Sequence, residues 1–147
     1  YAHTDDALKN VLETLKPLCQ GKLCVVFGCG GDRDRTKRPR MAKVAEELAE
    51  VVYVTSDNPR TENPDDIITE ILTGFINRDS RTINIQPDRA KAIESAIKNA
   101  CKDDIVLIAG KGHETYQIIG KNKIHFSDKE IAQQCLKKLP ANALPTR

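Results

Sequence analysis

Val51-Val52-Tyr53-Val54-Thr55-Ser56-Asp57-Asn58-Pro59-Arg60, followed by Thr61-Glu62-Asn63-Pro64-Asp65-Asp66, decides how the chain is read. The apolar run 51–54 reads as a buried strand. Asn63 is a good N-cap and Pro64 suits a first helical position, so a helix starts there. Between them lies a polar loop with an acid, an amide and a guanidinium, held at the end of a strand. Such a loop suits a small charged ligand. Asp-Asn-Pro is also good turn chemistry, and an ordinary surface turn explains these residues taken by themselves.

The same strand–loop–helix unit recurs on both sides. Upstream, Leu23-Cys24-Val25-Val26-Phe27 is a continuous apolar run, as in a strand covered on both faces. It runs into Gly28-Cys29-Gly30-Gly31-Asp32-Arg33-Asp34-Arg35, where glycines would let the backbone turn and approach a ligand closely. A helix then opens at Arg38-Pro39-Arg40, with Met41, Val44, Ala45 and Leu48 on one side. Before all this, Thr4 caps a helix with Leu8, Val11, Leu12 and Leu15 on one face.

Downstream, Ile67, Ile68, Ile71 and Leu72 line a helix that Gly74 stops. Residues 82–85 form a short strand, and Pro87 starts a helix with Ala90, Ile93, Ala96, Ile97 and Ala100 inward. Residues 105–109 are the most apolar strand and lead into Gly110-Lys111-Gly112-His113-Glu114. The period then changes: residues 115–119 and 123–126 flank Gly120-Lys121-Asn122 as a hairpin. Ser127 to Glu130 is a capping box for a last helix with Ile131, Cys135, Leu136 and Leu139 inward. Residues 141–147 read as a flexible tail.

Strands alternating with helices imply an α/β fold in three layers. Its sheet is mostly parallel, with an antiparallel hairpin at one edge and helices on both faces. The bulk numbers agree. The chain has 147 residues, 39% hydrophobic and 30% charged, enough for one domain with a real core. A net charge of +2 and the absence of Trp argue against nucleic acid as partner. No apolar run reaches membrane-spanning length and no signal peptide is visible. The five cysteines (Cys19, Cys24, Cys29, Cys101 and Cys135) make no C-x-x-C pair, so the expectation is a reducing cytoplasm without disulfides or metal. Cys24, Cys101 and Cys135 sit in apolar stretches and read as small core residues. A start on Tyr1-Ala2-His3, without Met, raises the expectation of a piece cut from a longer protein.

In an open parallel sheet, ligands bind outside the carboxyl ends of the strands. Three loops leave such ends: 28–35, 55–60 and 110–114. Together they offer Arg33, Arg60, Asp57, Asn58, Glu114 and glycine backbone that includes Gly110. Arginine grips a carboxylate through two parallel hydrogen bonds, and a carboxylate pairs with an ammonium. The set suits a zwitterion such as an amino acid. Other motifs are weak. Gly28-x-Gly30 has Arg33 where a dinucleotide fingerprint wants its third glycine, and Gly110-Lys111-Gly112 lacks the spacing of a P-loop. His113 reads as hydrogen-bonding scaffold rather than a base. Arg33, Arg35, Lys37, Arg38 and Arg40 form either a solvated basic face or an attractor of phosphate.

Tyr1-Ala2-His3-Thr4, Gly28 to Asp34, Asp57-Asn58-Pro59-Arg60 and Gly110 to Glu114 resemble, in that order, the C-terminal domain of the Mur ligases. The resemblance spans nearly the whole chain and implies a Rossmann-like domain. It implies a cytoplasmic ligase of peptidoglycan synthesis that uses ATP and Mg to activate the carboxylate of a UDP-N-acetylmuramoyl dipeptide as an acyl phosphate. The amine of a third amino acid then attacks. Asp-Asn-Pro-Arg resembles the versions that select meso-diaminopimelate over lysine. Carried over by position, Arg33, Asn58, Arg60, Gly110 and Glu114 bind that amino acid, and Asp57 shapes the loop. Residues 1–4 match the hinge after a central ATPase domain, with His3 near the nucleotide. The P-loop and metal carboxylates of that domain are not in this sequence, so the fragment is expected to fold without ligating. A different class of reading is a stand-alone module that captures a nucleotide or acidic metabolite. A docking domain with no ligand of its own is a third.

Overall fold

Strands Leu23–Phe27 (β1), Val51–Val54 (β2), Ile83–Ile85 (β3) and Ile105–Ile108 (β4) run parallel in the order β3-β2-β1-β4. The computed structural model describes residues 2–78, 81–139 and 144–147. Register is set by the pairs Val25↔Val52, Val52↔Ile83 and Val25↔Leu107. Helices Asp5–Leu15 (α1), Lys37–Leu48 (α2), Pro64–Leu72 (α3), Arg89–Lys98 (α4) and Asp128–Lys137 (α5) cover the two faces.

The period of two along the central strands explains both layers. Leu23, Val25, Phe27, Val52 and Val54 share one buried cluster with Leu8 and Leu12 of α1, Met41 of α2 and Ile67 and Ile71 of α3. Cys24, Val26 and Tyr53 point the other way, onto Ile93, Ala96 and Ile97 of α4 and Ile131 and Cys135 of α5. Each fully buried aliphatic side chain contributes about 1.5–3 kcal/mol relative to exposure. β1 is buried along its whole length, as a central strand must be. Residues 105–108, the most apolar stretch, are only half-buried because β4 is an edge.

The helix starts follow local chemistry. Thr4 accepts from the Ala7 N–H, Asn63 from Asp65, Asp88 from Lys91 and Ser127 from Glu130. Asp88 is thus the cap of α4, and Pro87 lies outside it; the inward face holds Ala92, while Ala90 is half-buried. Gly74 is not a left-handed stop. A Cβ there would meet the Pro39 carbonyl oxygen at 1.9 Å, so it permits α2 and α3 to pack. Leu136 is 57% exposed rather than inward.

The hairpin, Tyr116–Ile119 (β5) and Asn122–His125 (β6), forms its own two-stranded sheet instead of extending an edge of the parallel one. It hangs on the loop after β2. The Arg60 N–H donates to Ile118 O at 3.0 Å, and the Gly120 N–H donates to Arg60 O at 2.6 Å. The loop after β2 presents unpaired backbone groups, and the hairpin satisfies them.

Cys24 and Cys29 are buried, and burial pushes both thiols up to about 12, so they stay protonated core groups. Cys101 and Cys135 are only half-buried. Of the segment 141–147, residues 141–143 lie outside the described residues. Beyond them, Pro145 O accepts from the Lys102 N–H and Arg147 pairs with Asp104.

Candidate functional site

The strand order places a topological switch between β1 and β4, because the chain builds outward from β1 to β3 and then crosses to the other side of β1. The loops after β1 and β4 flank that point, and the loop after β2 lies beside it. This is where an open parallel sheet leaves a crevice.

The first two loops are zipped together. The Gly31 N–H donates to Asn58 O at 2.8 Å, and Arg60 Nη1 donates to Gly31 O at 3.0 Å. The Asp32 carboxylate accepts from the Thr61 hydroxyl, and the Asp32 N–H donates to Glu62. A Cβ at Gly28 would sit 2.3 Å from Thr55 O, and one at Gly31 would sit 1.8 Å from Pro59 O. These two glycines therefore serve loop-on-loop packing, not approach to a ligand as expected. Gly30 differs: its open side faces Arg60 Nη1 at 2.9 Å and Arg33 Cγ at 3.7 Å. Arg33 and Arg60 thus converge beside one glycine.

Arg60 holds φ 52, in the left-handed region that non-glycine residues seldom adopt. The hairpin bonds on either side of it hold that conformation. Among the described residues neither Arg33 nor Arg60 is ion-paired. Their hydrogen bonds go to backbone carbonyls: Asp32 for Arg33, and Gly31 and Asn58 for Arg60.

Behind this pair sits a compact charged cluster. Lys111 is fully buried, with Nζ 2.8 Å from Asn58 Oδ1, 3.3 Å from Glu114 Oε1 and 3.8 Å from Asp57 Oδ1. Asn58 Nδ2 donates to Glu114 Oε1 at 3.3 Å, and Asn58 Oδ1 also accepts from the Ile118 N–H at 3.0 Å. The Asn58 amide is thereby fixed in one orientation. Gln117 Nε2 donates to Asp57 O at 2.7 Å. Gly110 holds φ 111, with its open side 2.8 Å from Asp57 Oδ2, so no side chain fits there. Two carboxylates and one ammonium leave the cluster a formal charge of one negative. The second Glu114 oxygen, Oε2, faces His3 Nε2 at 4.0 Å, at the partly exposed side.

The structure therefore brings together Arg33, Asp57, Asn58, Arg60, Gly110 and Glu114, with His3 at the margin. It divides them by exposure. Asp57 and Asn58 are buried, whereas Arg33 is exposed. His113 is exposed on the same loop as Glu114. The basic run 33–40 is no solvated face throughout: Arg38 is fully buried, holding Glu62 through two hydrogen bonds, Glu70 at 3.3 Å and the Gly30 carbonyl. Arg35 pairs with Glu70, and Arg40 with Asp5. The Arg38 guanidinium, with a hydrogen bond from the Asp32 N–H, holds Glu62 down at about 2. Among the described residues no three His, Cys, Asp or Glu side chains gather where a metal could sit.

Three residues that carry this geometry escape a reading of the sequence: Lys111, Arg38 and Arg89. Arg89 is buried, donating to both Asp128 oxygens at 2.8 Å, to Ser56 O at 2.9 Å and to Ala109 O at 3.1 Å. It ties α4 and α5 to the carboxyl ends of β2 and β4. The one signal for Lys111 is its flanking glycines, which let the chain fold its side chain inward. Arg38 and Arg89 carry no local mark.

Known proteins resemble this chain in sequence and fold. A sequence profile described as Mur ligase, glutamate ligase domain, matches residues 1–112. A Haemophilus influenzae protein is 57% identical over 137 residues, covering 93% of this chain and 28% of its own. One from Prochlorococcus marinus is 56% identical over 138 residues, covering 94% and 27%. Both carry the name UDP-N-acetylmuramoyl-L-alanyl-D-glutamate--2,6-diaminopimelate ligase. A solved structure of a ligase of that name superposes with a TM-score of 0.88 at 45% identity, over 93% of this chain and 28% of that one. The chain thus spans a little over a quarter of the length of the relatives it matches.

Proposed function

The chain belongs to the Mur ligase family, in its glutamate ligase domain, and on that footing we propose that it is the amino-acid-binding domain of the ligase that adds meso-diaminopimelate to UDP-N-acetylmuramoyl-L-Ala-D-Glu. The ligase works for peptidoglycan synthesis in the cytoplasm. In the whole ligase, ATP would supply the phosphoryl group that activates the dipeptide carboxylate, with ADP leaving, and the diaminopimelate amine would displace phosphate and lose a proton to form the amide. The residues present do not fit Mg or the ATP phosphates: there is no P-loop and no described carboxylate group of metal-binding size. Those ligands belong to other parts of the ligase, beyond a hinge at residues 1–4, with His3 on the side facing the nucleotide.

What this chain does is hold and orient the amino acid. The observation that carries the reading is the contrast within the site: two guanidinium groups beside Gly30 that meet no carboxylate among the described residues, next to a cluster of net negative charge at Glu114. Arg33 and Arg60 take carboxylate, and Glu114 takes ammonium. Asp57 and Asn58 hold the loop, and Gly110 lets it pass close to Asp57. Meso-diaminopimelate carries a second carboxylate where lysine has none, so lysine leaves an arginine unmatched. A site built for a polar group rejects the analogue that lacks it.

Calorimetry on the chain tests this. Meso-diaminopimelate is expected to bind about tenfold or more tightly than L-lysine, a difference of about 1.4 kcal/mol. Equal affinity for the two, or preference for a dinucleotide over both, overturns the reading.

A further inference from the structure

Lys111 has no place in the ligand contacts just proposed, yet it is completely buried. A buried lysine is costly unless its charge is met. Here it is met three times: by Asn58 Oδ1, by Glu114 Oε1 and, at longer range, by Asp57. The Tyr116 ring lies 5.7 Å from Nζ and adds a fourth, weaker contact. Three of those groups, Asp57, Asn58 and Glu114, are in the proposed site.

We propose that Lys111 is the positioning residue of the amino-acid site, holding the Asn58 amide against Glu114 and so fixing which oxygen of Glu114 the ligand meets. The inference rests on the reading of the preceding subsection. An ammonium is donor-only, so it can accept nothing from Asn58. Together with the Ile118 N–H, which donates to the same oxygen, it selects Oδ1 and turns Nδ2 toward Glu114. Glu114 Oε1 then receives both Lys111 and Asn58, and Oε2 remains the oxygen turned to the His3 side. Lys111 also sets the charge. Asp57 and Glu114 unpaired carry two negative charges; with Lys111 between them they carry one, which a single ligand ammonium neutralises. The site is thus fixed before any ligand arrives, which lowers the ordering cost of binding.

Nitrogen-15 NMR of the chain reads this directly. Buried and hydrogen-bonded, the Lys111 ammonium protons are expected to exchange with water about tenfold or more slowly than those of exposed Lys121. In Lys111→Met, the dispersed Asn58 side-chain amide pair is expected to collapse part of the way toward the position of exposed amides, because the Ile118 N–H and Glu114 still hold it, while the backbone spectrum of the parallel sheet is kept. Meso-diaminopimelate affinity then falls about tenfold or more, and Lys111→Arg, which keeps the charge, recovers part of it. Glu114→Gln, which keeps Lys111, leaves the Asn58 pair dispersed. Lys111 exchange at the Lys121 rate overturns the proposal without any variant. An Asn58 pair unchanged in Lys111→Met, or collapsed equally in Glu114→Gln, overturns it as well. A wild-type spectrum that diaminopimelate does not move breaks the ligand assignment instead, and the ligand-free arms still decide on Lys111.

Discussion

Arg38 and Arg89 are completely buried, and each spans elements far apart in the chain: Arg38 joins α2 to Glu62 and Glu70, Arg89 joins α4 to Asp128 and to two strand ends. Arg33 and Arg60 stand on the same rim, bond backbone carbonyls and meet no carboxylate among the described residues. The residue type is the same in all four cases. What differs is whether the fold has spent the guanidinium on itself. An arginine whose guanidinium is held by carboxylates fastens, and one held only by backbone carbonyls can bind.

That contrast breaks first at Arg89. Arg89→Ala leaves Asp128 buried without its cation and frees two strand-end carbonyls. It is expected to lower stability in urea by about 3–5 kcal/mol. A loss below about 1 kcal/mol would mean that Arg89 is not a fastener. Arg38→Ala comes next, at about 2 kcal/mol, because Glu62 and Glu70 are partly exposed and Arg35 still holds Glu70.

The Arg38 pair also predicts an acid limit. Glu62 is held at about 2 in the fold against an ordinary 4.5. The depressed folded value means that its contribution is complete above about 4.5 and is lost as pH falls toward about 2. Urea midpoints of the wild type should fall through that window, and those of Glu62→Gln should fall less steeply.

Arg60→Gly is the smallest change in stability and the sharpest test of the division. Glycine is at ease at φ 52, so stability should move by less than about 1 kcal/mol. Diaminopimelate affinity should nevertheless drop about tenfold or more. A variant that unfolds would place Arg60 with the fasteners.

The layers were legible because they rest on local rules. Apolar runs of four or five residues gave β1, β2 and β4, and Thr4, Asn63 and Ser127 marked helix starts that the structure keeps. The loops that meet at the rim followed from strand polarity. What stayed hidden depends on tertiary partners. Nothing near Arg38 or Arg89 reports that Glu62 or Asp128 will face it from 24 or 39 residues away. The glycines of the loop after β1 looked like ligand glycines, and two of them serve loop packing. The hairpin was recognised from its turn, but its docking on Arg60 was invisible, because backbone bonding between separate loops leaves no pattern in side-chain types.

The most direct measurement maps backbone and side-chain NMR shifts of the chain on titration with meso-diaminopimelate. The account predicts that the shifts concentrate at Gly30, Arg33, Asn58, Arg60, Gly110 and Glu114. Shifts confined instead to the groove of about 550 Å³ under the hairpin, lined by Pro59, Pro87, Ile119 and Phe126, would contradict it.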